Sequence, residues 1–426
     1  MKEDLLHFIW RTKRFDQSNM LTTAGESVQI IAFGHYNTHA GPDFLNAKLY
    51  VDTTLWAGNV EMHLKSSDWQ QHGHEEDKSY DEAVILHVVW EEDRTILRKN
   101  GEKIPCLELK NRISSHLVAT YKELLANENW IPCQKLFPQV SDFNKEMWLE
   151  RLTIERLERK SAAIHALLEA TKNNWEETFY RFLARNFGSK VNNEPFELLA
   201  QSLPMLILAK HKNSQLQIEA LIFGQAGLLE EDFSDDYPLS LQKEYRFLQK
   251  KYSLLSLNKE IWKFLRLRPA NFPTVRLAQF AALIYQSVHL FSKILESSDV
   301  QAVKKLLQSS PSEYWRTHYL FDKNSKELSK KLGAEAINSL IINTIVPFIF
   351  LYGKIKKEQD LQDKAINCLE SLPPEKNNII EEWHALGIKT AHAGRTQALL
   401  QLKNEYCDSR RCLECMVGTE ILRSHK

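Results

Sequence analysis

The apolar residues of this chain change their period once, and that change constrains the fold more than any single motif. Up to about residue 110 the apolar runs are short, β-branched and aromatic, and bounded by Gly, Asn, Asp and Pro: "VQIIAFG" at 28–34, "AKLYVD" at 47–52, "GNVEMHLK" at 58–65, "AVILHVVWEE" at 83–92 and "PCLELK" at 105–110. Such runs read as strands. An amphipathic start with Leu5, Leu6, Ile9 and Trp10 precedes them, and Asn100-Gly101 in "KNGEK" marks a hairpin turn. From about residue 140 the spacing is helical. "EMWLERLTIERLERKSAAIHALLEA" at 146–170 and "VRLAQFAALIYQSVHLFSKIL" at 275–295 each predict one long helix, the second entered through Pro269 and Pro273. The reading is an α+β fold: a small β-rich domain at 1–115 followed by a large all-α domain at 116–426, with no fixed-period repeat.

Composition narrows the function classes. Lys+Arg and Asp+Glu are both 55, a formal net charge of zero, which argues against blanket electrostatic binding of nucleic acid but not against a local basic groove. The start "MKEDLLHFIW" does not read as a signal peptide. The most apolar run, "INSLIINTIVPFIFLYG" at 337–353, contains Asn338, Asn343 and Pro347 and is expected to be a buried helix, kinked or stopped near Pro347, and not a membrane span. Six cysteines in a chain of this length fit a reducing compartment, so the expected location is cytoplasmic.

The candidate chemistry lies in the first quarter. Alternation along a strand puts Glu61, His63 and Lys65 on one face of "GNVEMHLK", with Val60, Met62 and Leu64 on the other. A hairpin with "AKLYVD" would bring Asp43, in "HAGPDF", towards them. Two neighbouring carboxylates repel unless a cation lies between them, and hard divalent ions such as Mg²⁺ or Mn²⁺ prefer oxygen ligands. A metal there could activate water against a phosphodiester, with His63 or Lys65 assisting. Histidine is dense in the same region: His35, His39, His63, His72, His74 and His87 are six of the chain's 15. A transition-metal site of His72, His74 or His87 with Asp43, Glu61 or Asp81 is therefore the alternative.

These parts resemble the PD-(D/E)XK nuclease superfamily. The elements run helix, strand, strand, strand, short helix, strand, and "PD" at 42–43 precedes Glu61. The resemblance implies an αβββαβ core, metal-binding carboxylates at Asp43 and Glu61, and nucleic acid as substrate. The superfamily's third motif position is a lysine; here it is His63, and Lys65 on the same face is the candidate substitute. Over most of its length the chain also resembles a bacterial family of the Bacteroidetes known as domain-of-unknown-function family 2851. That resemblance rests on "GPDF", "GNVEMHLKSSDWQQHGH", "YDEAVILHVVWEED", "RPANFPTVRLAQFAALI" and "YCDSRRCLECMVG", and it implies no activity.

At the other end, "YCDSRRCLEC" spaces Cys407, Cys412 and Cys415 as C-x4-C-x2-C, which suits zinc or an iron–sulfur centre if a fourth ligand comes from elsewhere in the fold. Buried reduced thiols are the plainer expectation. The loops at 185–196 and 266–276 interleave basic residues with Phe; they are expected to anchor interhelix turns. The favoured function is metal-dependent phosphodiester hydrolysis, or a degenerate nucleic-acid-binding descendant of it. The rivals are a helical scaffold with a structural metal and a hydrolase using a His-rich site.

Overall fold

The first helix, α1 (Glu3–Arg11), forms because Leu5, Leu6, Phe8, Ile9 and Trp10 fall on one stripe and are all buried. Glu3 and Asp4 stand in its first turn and Arg11 in its last, matching the helix dipole. In this computed structural model, residues 2–71, 80, 82–287 and 289–424 are described. Six strands follow α1 in one mixed sheet: β1 (Val28–Ala32), β2 (His35–Tyr36), β3 (Phe44–Val51), β4 (Thr54–Lys65), β5 (Val84–Glu91) and β6 (Cys106–Glu108). The sheet order is β1-β3-β4-β5-β6, with β2 also paired to β3. β1, β3 and β4 pair antiparallel, whereas β4–β5 and β5–β6 are parallel. The short helix α2 (Asp68–Gln71) lies in the connection from β4 to β5. The chain is about 54% helical overall, with a small sheet-containing N-terminal region and a large helical C-terminal part, as the expected α+β class requires.

β4 is central, and its middle is covered on both faces. Val60, Glu61, Met62 and His63 are all buried, and α1 packs on this strand. Every residue of β5 from Val84 to Val89 is buried as well, the pattern of a parallel strand enclosed on both sides. Gly58 admits β5: a Cβ there would stand 2.5 Å from the Ile85 side chain and 2.6 Å from the Ala83 carbonyl. The Asn100-Gly101 turn forms as expected, with Gly101 at φ +86° beside a bridge between Leu97 and Lys103.

The chain divides into two compact units, Met1–Trp148 with Leu402–Lys426, and Leu149–Gln401. The division expected at 115/116 lies elsewhere for two reasons. Helices α3 (Ser115–Ala126) and the start of α4 (Asp142–Ala170) stay with the sheet, and the last residues return to it. Glu420, for example, accepts from the Ser141 backbone N–H at 3.0 Å and from the Asn144 amide at 2.7 Å.

The second unit is helical apart from a small β-hairpin at 318–324, and it closes over an aromatic core in which Phe179, Phe291 and Phe348 meet. The single helix expected at 275–295 is two helices, Pro273–Gln286 and Leu290–Glu296; His289 before the second has φ +56°, which a continuous helix does not allow. The stretch Ala334–Lys356 is long and apolar enough to cross a membrane by length and composition, but most of it is buried within the unit. The break expected near Pro347 is a π-helical segment, Ile341–Ile345, just before the helix Val346–Lys356. Proline cannot donate to the preceding turn, and the wider π turn accommodates that loss.

Candidate active site

Asp43 closes the turn before β3, and its placement depends on a reciprocal lock with β4. The Asp43 backbone N–H donates to Glu61 Oε2 at 3.1 Å, while the Met62 backbone N–H donates to Asp43 Oδ2 at 2.9 Å. The two carboxylates are thereby held side by side, as the expected β3–β4 hairpin requires. Asn37 supports the turn from below, its amide donating to the Pro42 carbonyl at 3.1 Å.

Helix α1 supplies the rest of the acidic surroundings. His7 Nε2 lies 3.2 Å from Asp43 Oδ2, and Glu3 is within electrostatic range of Glu61. Glu61 is only 5% exposed, and its carboxyl is pushed up to about 9, first by burial and then by the charge of Asp43 beside it. Asp43 and His7 are the parts of the cluster that reach solvent, with side chains 22% and 14% exposed.

Behind Glu61 is a pair of buried imidazoles. The parallel register sets Glu61 opposite His87, so both sit on one face of the sheet. His63 Nε2 is 3.7 Å from Glu61 Oε1, and His63 Nδ1 is 2.9 Å from His87 Nε2. A nitrogen–nitrogen contact of that length holds one proton between the rings, since one must donate and the other accept. Trp69 of α2 closes over both rings, with centroids 6.3 Å from His63 and 5.1 Å from His87.

Lys65 does not join this cluster. It is exposed at the far end of β4, where its backbone N–H donates to Asp68 Oδ2 at 3.0 Å. Four residues of extended strand separate it from Glu61, roughly 13 Å along the chain. Alternation puts it on the same face as Glu61 and His63, but the middle of the strand is buried and its end is exposed. Lys65→Ala is accordingly expected to leave stability within about 0.5 kcal/mol of the parent in a thermal melt and to leave cation binding unchanged. His72, His74 and Asp81 lie outside the described residues. Among the described residues no three His, Cys, Asp or Glu side chains are already grouped to hold one metal ion.

A cleft of about 760 Å³ opens beside His7. Lys2, Arg11, Tyr36, Arg410 and Arg411 line it, together with acidic Asp4, Asp408 and Glu414. The Arg11 guanidinium lies over the Tyr36 ring at 5.4 Å, and that ring packs 5.6 Å from His7. Glu3, His7 and the cleft arginines are the functional candidates that the sequence reading missed. The acidic first turn of α1 and the basic "SRR" at 409–411 were the available signals.

Fold and site together define an α+β protein in which a mixed sheet carries a carboxylate–imidazole cluster under its N-terminal helix, joined to a second, helical unit. The chain belongs to the family described as "Protein of unknown function (DUF2851)", whose profile matches residues 3–378. No curated protein and no solved structure matches it.

Proposed function

We propose that the first unit is a nuclease-like, divalent-cation-dependent phosphodiesterase, or a nucleic-acid-binding descendant of one. The observation that carries this reading is the lock between Asp43 and Glu61, which holds two carboxylates together, with His7 between Asp43 and a cleft of mixed charge that contains Lys2, Arg11, Arg410 and Arg411. The order α1, β1, β3, β4, α2, β5 supports it, because it is the αβββαβ order of the PD-(D/E)XK superfamily, with Asp43 at the second core strand and Glu61 on the third.

The donor set suits a hard cation. Two adjacent carboxylates, one of them pushed towards its neutral form first by burial and then by its neighbour's charge, are relieved when a positive ion replaces the proton. Asp43 and Glu61 would hold such an ion, with His7 orienting Asp43 from the α1 side. When bound, Mg²⁺ or Mn²⁺ would polarise the phosphodiester and lower the pKa of an attacking water. Glu61 has to lose its proton first; the imidazole nitrogen nearest Oε1 is His63 Nε2 at 3.7 Å, which would have to close to hydrogen-bond distance to receive it, with His87 on the other side of the ring. In this reading the buried His63–His87 pair does at the third motif position what a lysine does elsewhere in the superfamily. Arg11, Lys2 and Tyr36 would receive the phosphate backbone and a base. The six free thiols fit the reducing, cytoplasmic setting that such a partner implies.

The test is hydrolysis of labelled single- and double-stranded DNA and RNA by the full chain with Mn²⁺ or Mg²⁺. Cleavage that falls at least about 100-fold in Asp43→Asn supports the reading. Binding without cleavage, weakened by Arg11→Ala, identifies the degenerate form. Cleavage indifferent to Asp43→Asn, or neither binding nor cleavage of any of these substrates, rejects both. The rival reading, a scaffold with no catalytic role, draws support from the burial of Glu61 and His63; it expects that last result.

A further inference from the structure

In the helical unit a strap at 325–332 closes back onto the segment 309–317. The Ser325 backbone N–H donates to the Thr317 carbonyl at 2.7 Å, that of Leu328 to the Arg316 carbonyl at 2.9 Å, and that of Leu332 to the Ser309 carbonyl at 3.2 Å. Gln279, on the helix Pro273–Gln286, secures the strap, its amide donating to the Lys330 carbonyl at 3.0 Å. Between the two segments lies a cavity of about 540 Å³. Lys330 and Lys331 of the strap line it together with Ser310, Ser312 and Ser329, and Trp315 gives it an apolar wall.

Lys330 is only 7% exposed, yet no carboxylate pairs with it among the described residues. Its Nζ donates to the Arg316 carbonyl at 2.9 Å and lies 4.1 Å from the centre of the Tyr319 ring. That carbonyl already accepts from Leu328, so it does not need the lysine. Burial pushes the Lys330 amine below the ordinary lysine range, and no acid offsets the shift. Arg316, also on the cavity wall, is served already: Glu327 is hydrogen-bonded to it and Glu313 lies 3.9 Å away. Lys331 is exposed and, like Lys330, has no carboxylate partner among the described residues. A buried ammonium without a counter-ion costs stability until an anion enters beside it.

We infer that this cavity binds a phosphate group, with Lys330 and Lys331 as its cationic partners and Ser310, Ser312 and Ser329 as hydroxyl donors. Two ammonium groups match the charge of a phosphate monoester, about −1.5 to −2 at pH 7, and the hydroxyls suit its acceptor oxygens. A carboxylate would bring one charge only. The source is either inorganic phosphate or a small phosphate ester. The volume falls within the range of small-molecule sites, roughly 300–1,000 Å³. Trp315, held by stacking on Phe223 at 5.3 Å, offers a flat apolar surface to the remainder of an ester. The inference goes beyond the phosphodiesterase reading, since the cavity belongs to the other unit and needs no divalent cation.

The experiment is calorimetric titration of the full chain with inorganic phosphate, adenosine monophosphate and adenosine, at fixed ionic strength and without divalent cations. Binding of the monophosphate that inorganic phosphate displaces, with none of adenosine, assigns an ester site. Binding of inorganic phosphate with the monophosphate excluded assigns a free-ion site. In either case Lys330→Met should weaken binding at least about 30-fold. The phosphate-free variant should be at least as stable as the parent, because it loses an unpaired buried charge while the Arg316 carbonyl keeps its bond from Leu328. If Lys330→Met fails to fold, amine labelling of the parent decides: phosphate should slow modification of Lys331 and leave that of Lys323, on the hairpin, unchanged. Four results would overturn the inference: no binding of either phosphate compound up to about 10 mM, adenosine bound as tightly as its monophosphate, binding undiminished in Lys330→Met, or equal labelling of Lys331 with and without phosphate.

Discussion

Glu61→Gln should make the metal-free protein more stable than the parent, by a margin that widens with pH. The sign follows from the direction of the shift. The Glu61 carboxyl titrates near 4.5 when unfolded and is pushed up to about 9 in the fold by burial and by Asp43. Below pH 4.5 both states are protonated and the native state bears no penalty. Between those limits the unfolded chain releases a proton that the native state keeps, so the parent loses about 1.4 kcal/mol per pH unit from this residue alone. At pH 7 the accumulated loss is about 3 kcal/mol. Glutamine keeps the size of the side chain and an oxygen to accept from the Asp43 N–H, and it has no such proton to lose. Denaturant unfolding at several pH values between 5 and 9 measures the divergence. Parallel curves for the two proteins would mean that Glu61 titrates normally and that Asp43 does not press on it. Added Mn²⁺ should reverse the order, stabilising the parent more than the variant, since a ligand that binds only the native state adds stability in proportion to its affinity.

The second large effect is expected at Trp10, one helical turn from His7 and packed on Phe44 beside Asp43. Its ring is fully buried, stacked on Phe15 at 5.5 Å and set against Phe33 and Phe44 at 4.9 and 6.4 Å, and its Nε1–H donates to the Phe33 carbonyl at 3.1 Å. Trp10→Ala removes that packing and should cost about 3–5 kcal/mol. Trp10→Phe keeps most of the ring, and its main loss, the Phe33 hydrogen bond, should cost about 1–3 kcal/mol. The two substitutions should differ in function as well. Trp10 anchors the helix that carries Glu3 and His7, so the alanine variant should lose cation-dependent stabilisation under conditions where it remains folded, and the phenylalanine variant should keep it. Equal cation responses in both would separate α1 from the site.

The elements of this site were more legible than its contacts. Short β-branched runs and the later helical period gave the strands and helices, because side-chain alternation and the 3.6-residue turn are local properties. Asp43 and Glu61 could be paired because a hairpin joins their strands. His63 and His87 could be placed on strands, but their 2.9 Å contact depends on the parallel register that sets Glu61 opposite His87, which no local pattern encodes. Lys65 shares the face of Glu61 and His63 by alternation, but alternation does not say how much of a strand is buried, and Lys65 stands at its exposed end. The contact of His7 with Asp43 joins positions 36 residues apart, and it became visible only once the fold had brought them together.

The measurement closest to the central claim is calorimetric titration of Mn²⁺ into the full chain at pH 7, in two buffers that differ in ionisation enthalpy. If Asp43 and Glu61 share the cation, binding should release about one proton, the one Glu61 holds in the metal-free fold, and the observed heat should differ between buffers accordingly. Asp43→Asn should abolish binding, and Glu61→Gln should bind weakly with no proton released. Binding whose heat is the same in both buffers, or undiminished in Asp43→Asn, would contradict a cation site at this pair.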